Sequence, residues 1–182
     1  MGEAKIHVTD TVVNEGYKLT PFMYMYHINF GYPVISEYTK LYSPAAQVIA
    51  WNEASQKGNG RFSEFQKPTP DYPYECFIHE MPGQDEPVSV ALVNHALSFG
   101  AYVRYNPKEL PSFNTWKMMG EQDYVMALEP GINIPEGRVS ARAAGRLQTL
   151  EPDEVFMCSF EIGVLGKQQA IDSYLQLSRQ GG

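Results

Sequence analysis

A glutamate beside a predicted β-hairpin is the group in this sequence whose position best suits a general base. Residues 113–119 and 123–128 are strand-like runs joined by three turn-forming residues, the pattern of a hairpin. Glu129 follows the second run directly, and the proline and glycine after it predict that the strand ends there. Val125 and Ala127 share its face, and apolar neighbours raise the pKa of a carboxyl towards that of a working base. A strand-end glutamate facing water is the alternative interpretation.

An aromatic segment, residues 21–33, carries a histidine with a polar neighbour. His27 and Asn29 are two apart and so share one face of an extended backbone, whereas Ile28 and Phe30 take the other. A buried imidazole needs hydrogen bonds, since an unpaired polar group in an apolar site costs about 1–3 kcal/mol. The pattern predicts that His27 and Asn29 contact a polar partner or a substrate. A core histidine bonded to a backbone carbonyl is the alternative.

Composition and periodicity predict an all-β protein with one domain over all 182 residues. The 13 prolines, 15 glycines and 13% aromatic residues favour short strands and turns. Runs at 4–14, 88–93, 99–105 and 155–164 have strand character, and the two middle runs are apolar on both faces, as in strands covered on each side. We expect an antiparallel β-sandwich that ends in one short helix, residues 168–177.

Charge and cysteine content narrow the expected partners. A net charge of -7 with no run of lysine or arginine disfavours nucleic acid and anionic membrane surfaces. Cys76 and Cys158 are too few and too far apart for a disulfide framework or a zinc site, which fits a reduced cytoplasmic compartment. Neither an export signal nor a membrane span is predicted.

The four histidines argue against a metal-dependent, cupin-like enzyme, which is the third function class that all-β character allows. His7, His27, His79 and His95 never form a His-x-His pair. We therefore expect neither a metal nor another cofactor.

Three segments together resemble a known family. YMYHINFGYP at 24–33, WKMMGEQDYVMALEPG at 116–131 and PEGR at 135–138 are similar to aldose 1-epimerase-like proteins of the galactose mutarotase superfamily, in an uncharacterised bacterial branch. The resemblance implies an antiparallel β-supersandwich. It also implies a reaction in which one acid and one base open a pyranose ring and let it close on the other face.

The resemblance assigns roles to single residues. His27 matches the family's acid, which protonates the ring oxygen, and Glu129 matches its base, which takes the proton of the anomeric hydroxyl. Trp116 is expected to form an apolar wall for the sugar and Lys117 to donate to a hydroxyl, with packing and a solvated surface as alternatives. His79 is similar in position to a sugar-binding residue, although its local sequence departs from the family pattern.

Length separates this chain from the family it resembles. Members are longer, and their upstream half contributes an arginine and a second histidine to the sugar, so we expect this chain to correspond to the downstream half to two-thirds. An incomplete sandwich exposes strand edges, which predicts a homodimer. Two functions remain open: an isomerase that interconverts the anomers of an aldose, and a carbohydrate-binding β-sandwich without turnover. In both, the partner is a monosaccharide or a derivative of one.

Overall fold

A computed structural model describes residues 4–58, 61–82 and 86–180, and twelve strands and three helices lie in these ranges. The strands are β1 (Lys5–Val13), β2 (Thr20–Phe22), β3 (Ile28–Phe30), β4 (Thr39–Tyr42), β5 (Gln47–Ala50), β6 (Glu75–Glu80), β7 (Val88–Asn94), β8 (Phe99–Tyr105), β9 (Ser112–Met119), β10 (Tyr124–Gly131), β11 (Gln148–Leu150) and β12 (Val155–Leu165). The helices are α1 (Glu53–Lys57), α2 (Gly137–Ala143) and α3 (Gln168–Gln180).

Two five-stranded antiparallel sheets form the body of the protein. The first sheet has the order β1-β12-β8-β7-β4, and the second sheet has the order β3-β10-β9-β6-β5. β11 and β2 pair as a small third sheet. The predicted all-β, antiparallel architecture with a C-terminal helix is confirmed.

Alternating apolar positions of both sheets meet in one core. Val90 and Val103 from the first sheet and Met126, Leu128 and Phe113 from the second are fully buried in it. Successive side chains of a strand point to opposite faces, so the polar positions between these residues face away from the core. The second sheet therefore has a core face, which packs against the first sheet, and an outer face on the opposite side.

The first sheet is covered on both sides at its centre, as its two apolar strands predict. Helix α3 places the fully buried Ile171 against Ala91, Val93 and Leu165 on the side remote from the main core. Burying apolar surface is the main favourable term in folding, so this second cluster explains why β7 lacks the polar alternation of a solvent-facing strand.

Strand β10 continues through Pro130 to Gly131, so the prediction that it ends at Glu129 is wrong. Proline lacks an N–H group, but the neighbouring segment needs only its carbonyl, which accepts a hydrogen bond from the Tyr26 N–H at 3.0 Å. Glu129 is consequently held inside a paired strand.

The periodicity of the sequence predicts only the C-terminal helix, and helices α1 and α2 are additional to that prediction. Helix α1 is five residues long and forms through a capping box in which Asn52 and Ser55 bond each other's backbone N–H groups. Helix α2 has one buried residue, Ala141. Neither helix is long or amphipathic enough to leave an apolar period in the sequence. No helix in the described ranges has the length and apolar character required to cross a membrane.

Candidate active site

The structure brings His27 and Glu129 into direct contact at one edge of the second sheet. His27 Nε2 lies 2.9 Å from Glu129 Oε1. The pairing of Ile28 with Leu128 places the residue before β3 opposite Glu129. The Glu129 side chain is 5% exposed, whereas that of His27 is 46% exposed. A buried carboxylate is thus covered by an imidazole that solvent reaches.

Burial sets the protonation of Glu129. The carboxyl lies on the outer face beside the fully buried Ala127, and loss of water raises its pKa from 4.5 to about 7. At neutral pH the group is close to half-ionised, which suits a side chain that takes up a proton and returns it in one catalytic cycle.

Gly131 allows the chain that carries His27 to approach β10. A Cβ atom at Gly131 would lie 2.8 Å from the Tyr24 carbonyl oxygen and 2.9 Å from Met25 Cα, closer than real Cβ contacts. The N–H of Ile132 donates to that Tyr24 carbonyl at 2.9 Å. The glycine of the Glu-Pro-Gly sequence therefore allows the two backbones to come close together, and this approach positions His27.

Asn29 and Trp116 share the outer face with His27 and Glu129. Both residues are paired in register with Ala127, one from each side of β10. The ring centroids of Trp116 and His27 are 5.8 Å apart, and Asn29 is exposed. Four of the six predicted site residues, namely His27, Asn29, Trp116 and Glu129, therefore lie together.

Three further residues at this site escaped the sequence analysis. Asn114 is fully buried directly opposite Glu129, and no described group donates a hydrogen bond to its Oδ1 atom. Tyr74 stacks on Trp116, with ring centroids 6.0 Å apart and an interplanar angle of 26°. Cys76 is paired with Trp116. Extending the alternation of the predicted hairpin from Trp116 back to Asn114 would have identified the first of them.

The pKa of the Cys76 thiol argues against a role as nucleophile in this site. Burial and the negative charge of Glu129 raise the pKa of its thiol to about 11. A thiol with that pKa is protonated at neutral pH, and the thiolate is the reactive form.

Lys117 is not brought together with Glu129, because adjacent residues of a strand face opposite ways and Trp116 takes the outer face. Its ammonium lies on the core face, 3.0 Å from Glu75 Oε2, and donates to the Arg61 carbonyl at 3.2 Å. Both members of this ion pair are buried. Lys117 therefore has no access to a sugar on the outer face, in contrast to its expected role.

His79 also lies on the core face and contacts no other predicted site residue. Its ring nitrogens are 3.1 Å from Ser43 Oγ and 3.1 Å from Thr115 Oγ1, and it packs edge-on against Phe113. Burial lowers its pKa from 6.5 to about 3, so the ring is neutral. Two hydroxyl groups thus satisfy a structural histidine, and the alternation of β6 rather than any family motif explains its position.

His79 and Glu129 make opposite contributions to the pH dependence of stability. The pKa of His79 is about 3 when folded and 6.5 otherwise, so its contribution falls as pH drops below 6.5. The pKa of Glu129 is about 7 when folded and 4.5 otherwise, so its contribution falls as pH rises above 4.5. Each group changes the free energy of unfolding by about 1.4 kcal/mol per pH unit, with opposite signs. The two changes therefore cancel between pH 4.5 and pH 6.5.

We therefore expect Glu129→Gln to expose the slope of His79. Urea unfolding at pH 5.0 and 6.5 measures the free energy of unfolding. Between pH 6.5 and pH 5.0, this free energy should fall by about 2 kcal/mol more in the variant than in the unmodified protein. Glu53→Gln, at an exposed position in α1, is the control and should follow the unmodified protein. A Glu129→Gln profile parallel to that of the control would contradict the raised pKa.

Metal ligands are not gathered at this site. In the part of the chain that the structure describes, no group of three or more His, Cys, Asp or Glu side chains could hold a metal ion. The arrangement that is present consists of an imidazole, a carboxyl group, an indole ring and an amide, all on one sheet face. Such a set can move protons at a bound polar molecule.

Comparison with known proteins identifies the family and the fold. Residues 1–164 match the model of a family described as a domain of unknown function, DUF4432. No curated protein sequence is a significant match to the chain.

Solved structures share the fold at low sequence identity. A candidate aldose 1-epimerase from Klebsiella pneumoniae subsp. pneumoniae superposes with a TM-score of 0.91 at 22% identity, over 98% of this chain and 47% of that one. A galactose mutarotase related enzyme from Lactobacillus acidophilus has a TM-score of 0.61 at 16% identity, over 90% of this chain and 58% of that one. A galactose mutarotase-like protein from Clostridium acetobutylicum has a TM-score of 0.56 at 14% identity, over 87% and 52% respectively.

This chain spans about half the length of these structures. The matched residues of this chain include both five-stranded sheets and the strands β3, β10 and β9 that carry the candidate site. The chain therefore belongs to the DUF4432 family and has the fold of the galactose mutarotase-like proteins.

Proposed function

We propose that this protein interconverts the anomers of an aldose by acid–base ring opening, with Glu129 as base and His27 as acid. The observation that carries the proposal is the contact between a buried carboxylate whose pKa is about 7 and a solvent-accessible imidazole 2.9 Å away. The names of the similar structures, an aldose 1-epimerase and galactose mutarotase relatives, support a sugar as substrate.

The reaction needs one proton removed and one supplied. The Glu129 carboxylate takes the proton of the anomeric hydroxyl, the bond between C1 and the ring oxygen breaks, and protonated His27 gives its proton to that oxygen. The open-chain aldehyde rotates about its C1–C2 bond, and the reverse transfers close the ring on the other face. Each positioned proton transfer contributes about 10²–10⁴ to the rate.

The substrate has to replace the hydrogen bond between the two catalytic groups. A distance of 2.9 Å leaves no room for the anomeric carbon and its two oxygens between Nε2 and Oε1. Of the two side chains, His27 is the one that can move away, because it is partly exposed whereas Glu129 is buried in β10. Asn29, exposed beside His27, is placed to hydrogen-bond a sugar hydroxyl.

Exchange NMR on the purified protein tests the proposal. One-dimensional exchange spectra of a panel of aldoses should show transfer of magnetisation between the two anomers that depends on protein concentration. Catalysis of at least one aldose is expected. A panel without a single accelerated sugar would refute the isomerase.

A carbohydrate-binding protein without turnover is the second candidate. The observation in its favour is that the chain matches only 47–58% of the similar chains named above. Saturation-transfer contacts between a sugar and the protein, without anomer exchange, would establish this function instead.

Trp116→Ala should weaken sugar binding. The half-buried indole lies next to the acid–base pair and offers an apolar surface to the C–H face of a pyranose. We expect KM or Kd to rise by about 10-fold, with a smaller change in kcat, since the indole takes no part in proton transfer. Tyr17→Ala, 98% exposed in the turn after β1, is the matched control. Equal affinities of the two variants would remove Trp116 from the site.

We also propose a homodimer. Strand β1 is an edge of the first sheet, and β3 and β5 are the edges of the second sheet. Open strand edges pair with another copy. The outer side of β4 is already bridged to Glu64 and is not counted among them. Sedimentation velocity at micromolar concentration should give about twice the chain mass of 20.5 kDa. A monomer at that concentration would contradict the prediction.

A further inference from the structure

An aromatic strip runs from the acid–base pair across the outer face of the second sheet. We define it as Trp116, Tyr74 and Trp51. Tyr74 is 50% exposed and Trp51 is 38% exposed. Exposed aromatic residues that cluster on one face of a sheet mark a binding surface more often than scattered ones do.

The register of the strands places the two tryptophans of the strip in one row, with Cys76 between them. Ala50 pairs with Phe77 on the core face, so Trp51 is the next position and faces outward with Cys76. The Trp51 N–H donates to the Cys76 carbonyl at 2.9 Å, and Cys76 pairs with Trp116 in the next strand. Tyr74 lies beside this row, two residues before Cys76, and stacks on Trp116.

The row is longer than one sugar ring. Neighbouring strands lie about 4.8 Å apart, so the three intervals from β10 to β5 put the Trp51 end about 14 Å from the Glu129 strand. A single pyranose with its anomeric carbon at Glu129 reaches Trp116. It does not reach Trp51, so the far end of the strip is left for another group of the same ligand.

The charge of this face argues against a phosphate or sulfate as that group. Glu80 and Glu129 are the charged residues at the strand positions of the outer face, and in the described parts of β3, β10, β9, β6 and β5 no lysine or arginine occupies such a position. Lys117, the cation of β9, is turned to the core. Protonated His27 is paired with Glu129, so the charge that remains on this face is negative and disfavours an anionic substituent. Aromatic rings, in contrast, stack on an uncharged ring with an apolar C–H face.

We propose that the substrate is the reducing end of a neutral di- or oligosaccharide, whose next sugar residue lies on Tyr74 and Trp51. This inference rests on the proposed function, because acid–base ring opening requires a free anomeric hydroxyl. The second residue must therefore be joined through a different hydroxyl of the first. Stacking tolerates several linkages, since it reads the flat face of a ring and not its individual hydroxyls.

Matched substrates test the inference on the intact chain. We compare kcat/KM for anomer exchange of a free aldohexose, its 6-phosphate and 1,4-linked disaccharides, both α and β, with the same hexose at the reducing end. At least one disaccharide is expected to exceed the free hexose by about 10-fold, and the phosphate to fall below it. Equal values for the hexose and all disaccharides would overturn the proposal.

Trp51→Ala assigns the effect to the strip. The ratio of kcat/KM for the preferred disaccharide to that for the hexose should fall by about 10-fold towards one, whereas Tyr17→Ala should keep the ratio of the unmodified protein. An unchanged ratio in folded Trp51→Ala would overturn the assignment. If the free hexose still exchanges its anomers, the isomerase proposal stands whatever the ratio for the disaccharide is. The isomerase proposal and the disaccharide proposal can therefore fail separately.

Binding gives a readout that does not need turnover. Saturation-transfer NMR should show contacts from both rings of the disaccharide to the unmodified protein, and loss of the contacts of the non-reducing ring in Trp51→Ala. Contacts restricted to the reducing-end ring would overturn the proposal even if no anomer exchange were observed.

Discussion

Glu129→Gln should reduce the rate of anomer exchange by about 10²–10⁴-fold, the contribution of one positioned proton transfer. The amide has the shape of the carboxylate and can still hydrogen-bond His27, but it cannot take the proton of the anomeric hydroxyl. Sugar binding should therefore persist, with kcat lowered and Kd nearly unchanged. Polarimetry on a freshly dissolved single anomer measures the rate, and saturation-transfer NMR measures the binding.

Stability provides an internal check on the same variant. The raised pKa of Glu129 means that its ionisation costs about 3 kcal/mol of folding free energy above pH 7, and glutamine does not ionise. Glu129→Gln should accordingly be more stable than the unmodified protein at pH 8 and inactive at the same pH. Loss of activity with loss of stability would indicate misfolding, and full activity would exclude Glu129 as the base.

Lys117→Met should destabilise the protein by about 3–5 kcal/mol, the cost of leaving a buried charge without its partner. Lys117 and Glu75 have side chains that are 4% and 9% exposed and form an ion pair at 3.0 Å. Methionine retains the packing of the lysine stem but leaves Glu75 with only the hydroxyl of Tyr72 as a described hydrogen-bond donor. Urea unfolding at pH 7 measures the change.

Removing both charges should recover most of that loss. The double variant Lys117→Met/Glu75→Leu leaves no unpaired charge in the core, and such replacements are often neutral or stabilising. Lys57→Met is the control, because its ion pair with Glu53 is exposed at both ends and contributes less than about 1 kcal/mol. A Lys117→Met variant no less stable than this control would show that the pair is dispensable.

The same ion pair supports the proposed binding surface. Glu75 directly follows Tyr74 in the chain, and Lys117 directly follows Trp116. The buried ion pair therefore fixes the backbone next to both aromatic residues and helps to keep their rings stacked. Folded Lys117→Met should therefore also raise KM for sugars. This effect would come from displaced aromatic rings and not from a lost contact with a hydroxyl.

Local patterns in the sequence determined much of the site. Strand alternation put Glu129 with Val125 and Ala127, and His27 with Asn29, and the structure keeps both groupings on the outer face. Alternation is a property of any extended backbone, so it holds before the partner strands are known. It also implies that Trp116 and Lys117 cannot both face a sugar, a consequence that residue type alone does not reveal.

Tertiary packing decided which face of each strand was buried and which strands became neighbours. The pairing of β3 with β10 brings His27 to Glu129, and the close approach at Gly131 permits it. Packing also turned Lys117 and His79 towards the core, where Glu75, Ser43 and Thr115 satisfy them.

Contacts between residues far apart in the chain depend on the summed burial of whole sheets, which no short window of sequence contains. The sequence by itself therefore determined the all-β class, the chemical groups of the site and which of these groups share a face of the same strand. Only the folded structure decided which of those groups meet, because the burial of distant partners selects one face of each strand for the core.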